Sequence, residues 1–531
     1  MNTKFKWNFS YNSKRMPILG KNIVSTSHPL AAQAGLSMLK KGGNAIDAAV
    51  CTAISLSVVE PVNNGLGSDA FAIIWDGKKL HGLNASGKSP SGWTKEYFSK
   101  YKKMPFLGWD TVTVPGAVSA WVELWKKFGQ LEFDQLFKPA IDYAKNGFLI
   151  PPIIADIWKT AARVYKKKRF PEFHKVFLPQ GQSPKAGDLF KLPDHAQSLE
   201  KIARSKGEAL YKGELAEKII EHAKKTGGKI KLDDLKNHDV IWQDPLNIEY
   251  NGIKLHELPP NGQGLCALIT LGILKELNLK NLKKNSAESY HFQIEAMKLG
   301  FADAYRYISD SKSLEFDPSK LLESDYLKQR ANLIDTNKAK SYPAGNPVGE
   351  GETVYLTTAD QAGMMVSYIQ SNYFGFGSGV VIPNTGISLQ NRGNCFTLES
   401  GHPNQVGPNK RPYHTIIPAF VTKNGDPLMS FGVMGGAMQP QGHVQMITRI
   451  FDYDENPQTA IDAPRWRYMS DLNISVERGF TKIALENLTK KGHNITKGHY
   501  LSFGGAQIIY KLEEGYVGAS EPRKDGQAVA F

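Results

Sequence analysis

A hydroxyl that begins a chain can act as its own activated nucleophile, because the α-amine beside it takes the proton. The junction Gly351-Glu352-Thr353 has the local form such a site needs. A Pro/Gly-rich linker, KSYPAGNPVGEGE at 340–352, runs into VYLTTAD, which reads as a strand. A cut between Glu352 and Thr353 frees that amine; taken alone, Thr353 is better described as a β-branched residue starting a strand. Met434-Gly435-Gly436 follows the strand-like LMSFGV and precedes MQPQGHVQMITRIFDY, which reads as a helix. Paired glycines there let two backbone N–H groups face one oxygen, the requirement of an oxyanion hole, and they suit any tight strand-to-helix turn as well. His414 and His443 are bases by type, but no carboxylate stands at a telling spacing from either, and neither is assigned catalysis. GLNASGKS at 82–89 fits the phosphate-loop pattern letter for letter. A phosphate cradle needs a helix to begin at Lys88, and Pro90, Ser91 and Gly92 follow instead, so the segment is expected to be a loop. Backbone amides and Lys88 there can still meet an anion.

The elements that must position these groups follow from pattern and punctuation. IVSTS at 23–27 reads as a strand, and Pro29 to Lys41 as a helix stopped by Gly42-Gly43. Asn44 caps the next helix, NAIDAAVCTAISLSVVE, whose apolar residues on nearly every face predict burial. FAIIW and KLHGLN flank a turn at Asp76-Gly77. From about 117 to 340 the chain reads as mainly helical, with lysine-rich outer faces. After 352 the texture changes to hairpins: VYLTTAD with MMVSYIQS, FVTKNGDPLMSFGV turning at Asn424-Gly425, and AQIIYKLEEGYVGAS. Helices first and strands last predict an α+β fold with helices outside stacked antiparallel sheets.

Composition bounds the answer. The 531 residues are 41% apolar and 22% charged, ordinary for a folded chain and unlike a disordered or collagenous one. Cys51, Cys266 and Cys395 are too few and too far apart for a disulfide framework or a CxxC zinc site. With 65 Lys and Arg against 51 Asp and Glu the net charge is +14. The lysines are scattered in small groups, with no zinc-finger or aromatic RNA-binding pattern, so a solvated basic surface is expected and not a nucleic-acid partner. The start, MNTKFKWNFSYNSKR, has no unbroken apolar run, and no stretch has the roughly 20 apolar residues of a membrane span. The expectation is a cytoplasmic enzyme with no membrane partner, no metal and no cofactor.

Taken in order, these segments resemble the γ-glutamyltransferase family of N-terminal-nucleophile hydrolases, nearly end to end. KGGNAIDAAVCTAISLSVVEP (41–61), NNGLGSDAFA (63–72), VPGAVSAW (114–121), TVYLTTADQAG (353–363), GPNKRPYHTIIP (407–418), GVMGGAMQPQGH (432–443), DAPRWR (462–467) and GASEPR (518–523) are similar to its successive blocks. The resemblance implies a four-layer αββα sandwich. It also implies a precursor that cuts itself into a heavy chain, 1–352, and a light chain, 353–531, forming one intertwined domain, with a dimer of these pairs as a further option. Thr353 is implied as nucleophile and, through its freed amine, as base; Ser371 as the supporting hydroxyl; Gly435 and Gly436 as the oxyanion hole.

Departures from the family pattern fall on substrate-binding positions. Ser86 stands where family members place an arginine for the substrate α-carboxylate, and Lys88 is the cation expected nearby. Cys395, in NRGNCF with Arg392, stands where a carboxylate holds the α-ammonium group, and a neutral thiol cannot pair with an ammonium. Tyr373 replaces a substrate-contacting Asn. His414 and Thr415 occupy the place of paired serines, and the lid loop between Phe396 and Gly407 is short. The implied reaction is acyl transfer or hydrolysis of a γ-glutamyl or similar carboxylate-bearing acyl amide. The alternatives are a cephalosporin-acylase-like or small oxo-acid amide hydrolase and, remotely, an uncleaved basic binding protein.

Overall fold

The computed structural model describes residues 15–314, 316–342 and 352–531. The linker segment 343–351 and the first fourteen residues lie outside the described residues. Two antiparallel seven-stranded sheets form the centre. One runs Ile18–Gly20, Tyr516–Ser520, Gly505–Lys511, Asp426–Met434, Ala419–Lys423, Ile253–Glu257, Leu246–Tyr250; the other runs Gln527–Ala530, Ile23–Thr26, Glu352–Ala359, Met365–Tyr373, Asp69–Trp75, Leu80–Asn84, Ile241–Gln243.

Alternation along the strands sorts side chains into layers. Tyr355, Met365 and Ile369 of the second sheet meet Phe420, Met434 and Ile509 of the first, forming the core between the sheets. Tyr355 lays its ring where a side chain at Gly432 would stand, with a Cβ there only 2.4 Å away. Val354, Leu356, Val366 and Tyr368 point the other way, into a core shared with the helix Ala45–Val59. Val421, Met429, Phe431 and Val433 likewise point outward onto the helices Gly264–Glu276 and Met438–Phe451. Helices therefore cover both outer faces, the expected α+β four-layer sandwich. With both faces buried, strand Met365–Tyr373 has no exposed position.

The helix Ala45–Val59 is buried at every position, and its start is fixed by a capping box. The Asn44 side chain accepts from the amides of Ile46 and Asp47, and Asp47 accepts from the amide of Asn44 at 3.0 Å. The hairpin at Asn424-Gly425 forms with both residues at positive φ, +54° and +91°. The phosphate-loop look-alike has no helix behind it; Gly87 is there because a Cβ would lie 1.6 Å from the Val114 carbonyl oxygen.

The reading of 117–340 as mainly helical needs correction, because it omits three central-sheet strands, Ile241–Gln243, Leu246–Tyr250 and Ile253–Glu257. Segregation along the chain is accordingly incomplete: each central sheet takes strands from both sides of the Glu352–Thr353 bond. No helix among the described residues is long and apolar enough to cross a membrane.

Candidate functional site

Thr353 is the second residue of a strand in the middle of its sheet. Its pairing with Met365–Tyr373 is irregular: Glu352 faces Tyr373 and Val354 faces Gln370, so Ser371 and Asn372 together oppose Thr353. This bulge turns Ser371 toward Thr353, whose Oγ1 donates to Ser371 Oγ at 3.2 Å with both residues buried. Ser371 Oγ also accepts from the Tyr373 amide at 2.8 Å and from Arg392 Nη2 at 3.3 Å.

A second contact reaches Thr353 from a helix that packs on the other sheet. Gln439 lies in the first turn of the helix Met438–Phe451, and its Oε1 accepts from the Ile417 amide at 2.9 Å. That fixes the side-chain amide so that Nε2 faces Thr353 Oγ1, at 3.5 Å. Gly435 and Gly436 immediately precede this helix with φ of +127° and +58°. Their carbonyls accept from the amides of Met438 and Gln439. Since the peptide between them is trans, a carbonyl turned into the helix leaves the next N–H pointing out of it.

Arg392 begins a short helical turn, Arg392–Cys395, and is fully buried. Besides Ser371 it donates through Nη1 to Thr415 Oγ1 at 2.7 Å, touches Cys395 Sγ at 3.9 Å, and lies 4.6 Å from the centroid of the Tyr373 ring. Burial pushes the Cys395 thiol up, so it stays neutral. Tyr373 is held at φ +76°, a left-handed conformation strained for a non-glycine residue. His414 Nδ1 accepts from the Ile416 amide, so the proton sits on Nε2, which meets Asp69 Oδ2 at 3.1 Å. Burial, with the Arg392 charge added, drives His414 well below the usual histidine range, so it is neutral. Burial pushes Asp69 up to about 7 despite Arg392 and the Gly87 amide.

The structure thus brings Thr353, Ser371, Tyr373, Arg392, Cys395 and Thr415 into one cluster, with the His414–Asp69 pair beside it, Asp69 lying across from Ser371 in the sheet. Ser86 stands at one remove: its hydroxyl bonds to Asn84 Oδ1 at 2.7 Å and its carbonyl accepts from Arg411 at 2.9 Å. Lys88 is committed elsewhere, 2.5 Å from Asp239, which also pairs with Arg411. The cation nearest the nucleophile's hydrogen bonds is therefore Arg392. His443 bonds to Glu257 at 2.6 Å and accepts from the Val433 amide, a packing role.

The sequence reading misses Asp69 and Gln439. Both lie inside segments it singles out, NNGLGSDA and GGAMQPQGH, where attention falls on the glycines. Sequence also gives no sign of a buried group of metal-ligand types, His291, Glu295 and His493. The two imidazoles meet at 2.9 Å and Glu295 is paired with Lys298 at 2.6 Å, while His493 Nδ1 is left without a hydrogen-bond partner.

Comparison with known proteins agrees with this architecture. The gamma-glutamyltranspeptidase family model matches residues 31–531. A glutathione hydrolase-like proenzyme of Bacillus subtilis is 37% identical, covering 96% of this chain and 98% of its own length. An oxamate amidohydrolase proenzyme of Klebsiella pneumoniae is 34% identical over 95% of this chain and 97% of its own. The crystal structure of a cephalosporin acylase from Bacillus halodurans superposes with a TM-score of 0.96 at 44% identity, covering 99% of both chains. With the family model spanning nearly the whole chain, this protein is an enzyme of the gamma-glutamyltranspeptidase family, with the N-terminal-nucleophile-hydrolase fold.

Proposed function

We propose that this chain is a precursor that cuts itself between Glu352 and Thr353 and then hydrolyses, or transfers, a carboxylate-bearing acyl group from an amide. In maturation Thr353 Oγ adds to the Glu352 carbonyl carbon, the peptide C–N bond breaks, and an ester forms. Water then cleaves the ester to leave the Glu352 carboxylate and a free Thr353 amine. Heavy chain 1–352 and light chain 353–531 stay together, since both contribute hydrogen-bonded strands to each central sheet. In turnover the neutral amine takes the Oγ proton as the Oγ–C bond to the substrate forms. That proton passes to the leaving amine as the C–N bond breaks, and water or an acceptor amine resolves the acyl-Thr353 ester. Arg392, one hydroxyl away, disfavours a second positive charge and so helps keep the Thr353 amine unprotonated. The out-turned amide of Gly436 is suited to the developing oxyanion, with Gly435 beside it as the second proposed donor, and Ser371 orients the nucleophile.

The observation that carries the reading is the buried Thr353 hydroxyl, hydrogen-bonded to Ser371 and faced by the helix that Gly435-Gly436 opens. The proenzyme names of the relatives support the self-cleavage, and the acylase and amidohydrolase names support amide hydrolysis. Thr353→Ala tests it. On a denaturing gel the wild type gives two bands and the variant one, and p-nitroanilide hydrolysis falls at least about ten-thousandfold. An uncut wild-type chain that is nonetheless active contradicts the mechanism.

The acyl group is best read as an anion without an ammonium. Cys395 and Tyr373 offer neutral groups beside Arg392, and no carboxylate is in bonding contact with that cluster to receive an ammonium among the described residues. A γ-glutamyl substrate, as in a glutathione hydrolase, is the competing reading, and it predicts that γ-glutamyl-p-nitroanilide is hydrolysed faster than acyl anilides lacking the amino group.

A further inference from the structure

A guanidinium buried in a protein interior is ordinarily matched by a carboxylate, because an uncompensated buried charge is costly. Arg392 is fully buried, and among the described residues no Asp or Glu oxygen lies in ion-pair contact with it. Its two terminal nitrogens spend their bonds on neutral hydroxyls, those of Ser371 and Thr415, and its Nε has no acceptor. Asp69, whose carboxyl feels the Arg392 charge, is turned toward His414 and the Gly87 amide. Among the described residues the cluster therefore presents a cation with no carboxylate bonded to it.

The position of that cation limits what can pair with it. Arg392 Nη2 and Thr353 Oγ1 donate to the same atom, Ser371 Oγ, at 3.3 and 3.2 Å. A substrate must place its scissile carbonyl carbon about 3 Å from Thr353 Oγ1 and its carboxylate oxygen about 2.8 Å from the guanidinium. Two contacts to one oxygen put the guanidinium within about 6.5 Å of the nucleophile, a span that an acyl group ending in a carboxylate can bridge. Resting on the amidohydrolase reading above, we propose that Arg392 is the substrate-carboxylate anchor and that it selects acyl groups ending in a carboxylate over neutral ones. Tyr373 holds the guanidinium plane from one side, and Thr415 keeps one edge turned toward the nucleophile.

The test is a series of p-nitroanilides run on the matured enzyme: oxalyl, malonyl, succinyl, glutaryl, γ-glutamyl and, as a neutral control, acetyl. The expected result is that kcat/KM for at least one carboxylate-bearing compound exceeds that for the acetyl control by at least about tenfold. Arg392→Gln is expected to lower the ratio of the carboxylate anilides to the acetyl control about a hundredfold, while the gel still shows two bands. A wild-type preference for the acetyl control overturns the proposal, as does an Arg392→Gln ratio equal to that of wild type. Should Arg392→Gln fail to mature, the wild-type series alone decides. A wild-type protein that is cleaved and active but indifferent to the carboxylate refutes only the anchor. One that is neither cleaved nor active on any member refutes the parent reading as well.

Discussion

Arg465 and Arg523 are buried in the same chain as Arg392, yet their surroundings are built on the opposite plan. Arg465 Nη2 meets Glu521 at 2.7 Å; Arg523 bridges Glu521 at 2.7 Å and grips Glu477 with Nε and Nη2 at 2.7 and 2.6 Å. The remaining carboxylate lone pairs take backbone amides, those of Arg465, Ala506 and Arg523. Arg465, like Arg392, leaves its Nε without an acceptor, so the difference lies in the terminal nitrogens, which find carboxylates in one region and hydroxyls in the other. The segments DAPRWR and GASEPR thus supply a closed ionic lock joining the strand ends Trp466–Ser470 and Tyr516–Ser520, far from being part of the chemistry. A filled charge network holds a fold together; an open one beside a nucleophile is available to bind.

The largest expected effect comes from breaking the filled network. Glu521→Ala leaves two buried guanidiniums short of a carboxylate, and the loss of stability should be about 3–5 kcal/mol. Urea unfolding followed by circular dichroism reads this as a large fall in midpoint, whereas the ratio of succinyl to acetyl anilide hydrolysis by the folded protein stays at the wild-type value. Arg392→Gln should do the reverse. It removes a charge that has no carboxylate, so the urea midpoint is unchanged or raised while carboxylate selectivity is lost.

A smaller effect separates the regions by pH. Burial pushes the Glu521 carboxyl up, but Arg465 and Arg523 outweigh it and hold it down to about 2 against an ordinary 4.5. A depressed acid contributes stability that is complete above the ordinary value and drains away as pH falls through the folded one. Between pH 4.5 and about 2 the wild type should lose stability more steeply than Glu521→Gln. Arg392→Gln should follow the wild-type acid curve. The smallest effect is assigned to Lys88→Gln. This ammonium is partly exposed and already sits on Asp239, so stability should move by less than about 0.5 kcal/mol and anilide kcat/KM by less than about twofold.

Much of the frame is legible in sequence because local chemistry and tertiary fold agree there. Asn44 and Asp47 announce a capping box, and Asn424-Gly425 a tight hairpin. Asn251-Gly252 carries the same dipeptide, at φ +47° and +79°, between Leu246–Tyr250 and Ile253–Glu257. The reading passes over it because these strands are short and half-exposed and sit among lysine-rich helices. Thr353, Ser371 and the glycine pair are legible as candidates by residue type and by family resemblance. Their meeting depends on a bulge that no local signal encodes. The difference between Arg392 and Arg465 is illegible for a deeper reason. Both are arginines in ordered motifs, and only the fold decides which one finds a glutamate.

The most direct test of the central claim is intact-mass analysis of the purified protein, with N-terminal sequencing of the smaller fragment. The account predicts two polypeptides whose boundary is the Glu352–Thr353 bond, the smaller one beginning at Thr353. A smaller fragment that starts at any other residue, or a single active chain of 531 residues, contradicts it.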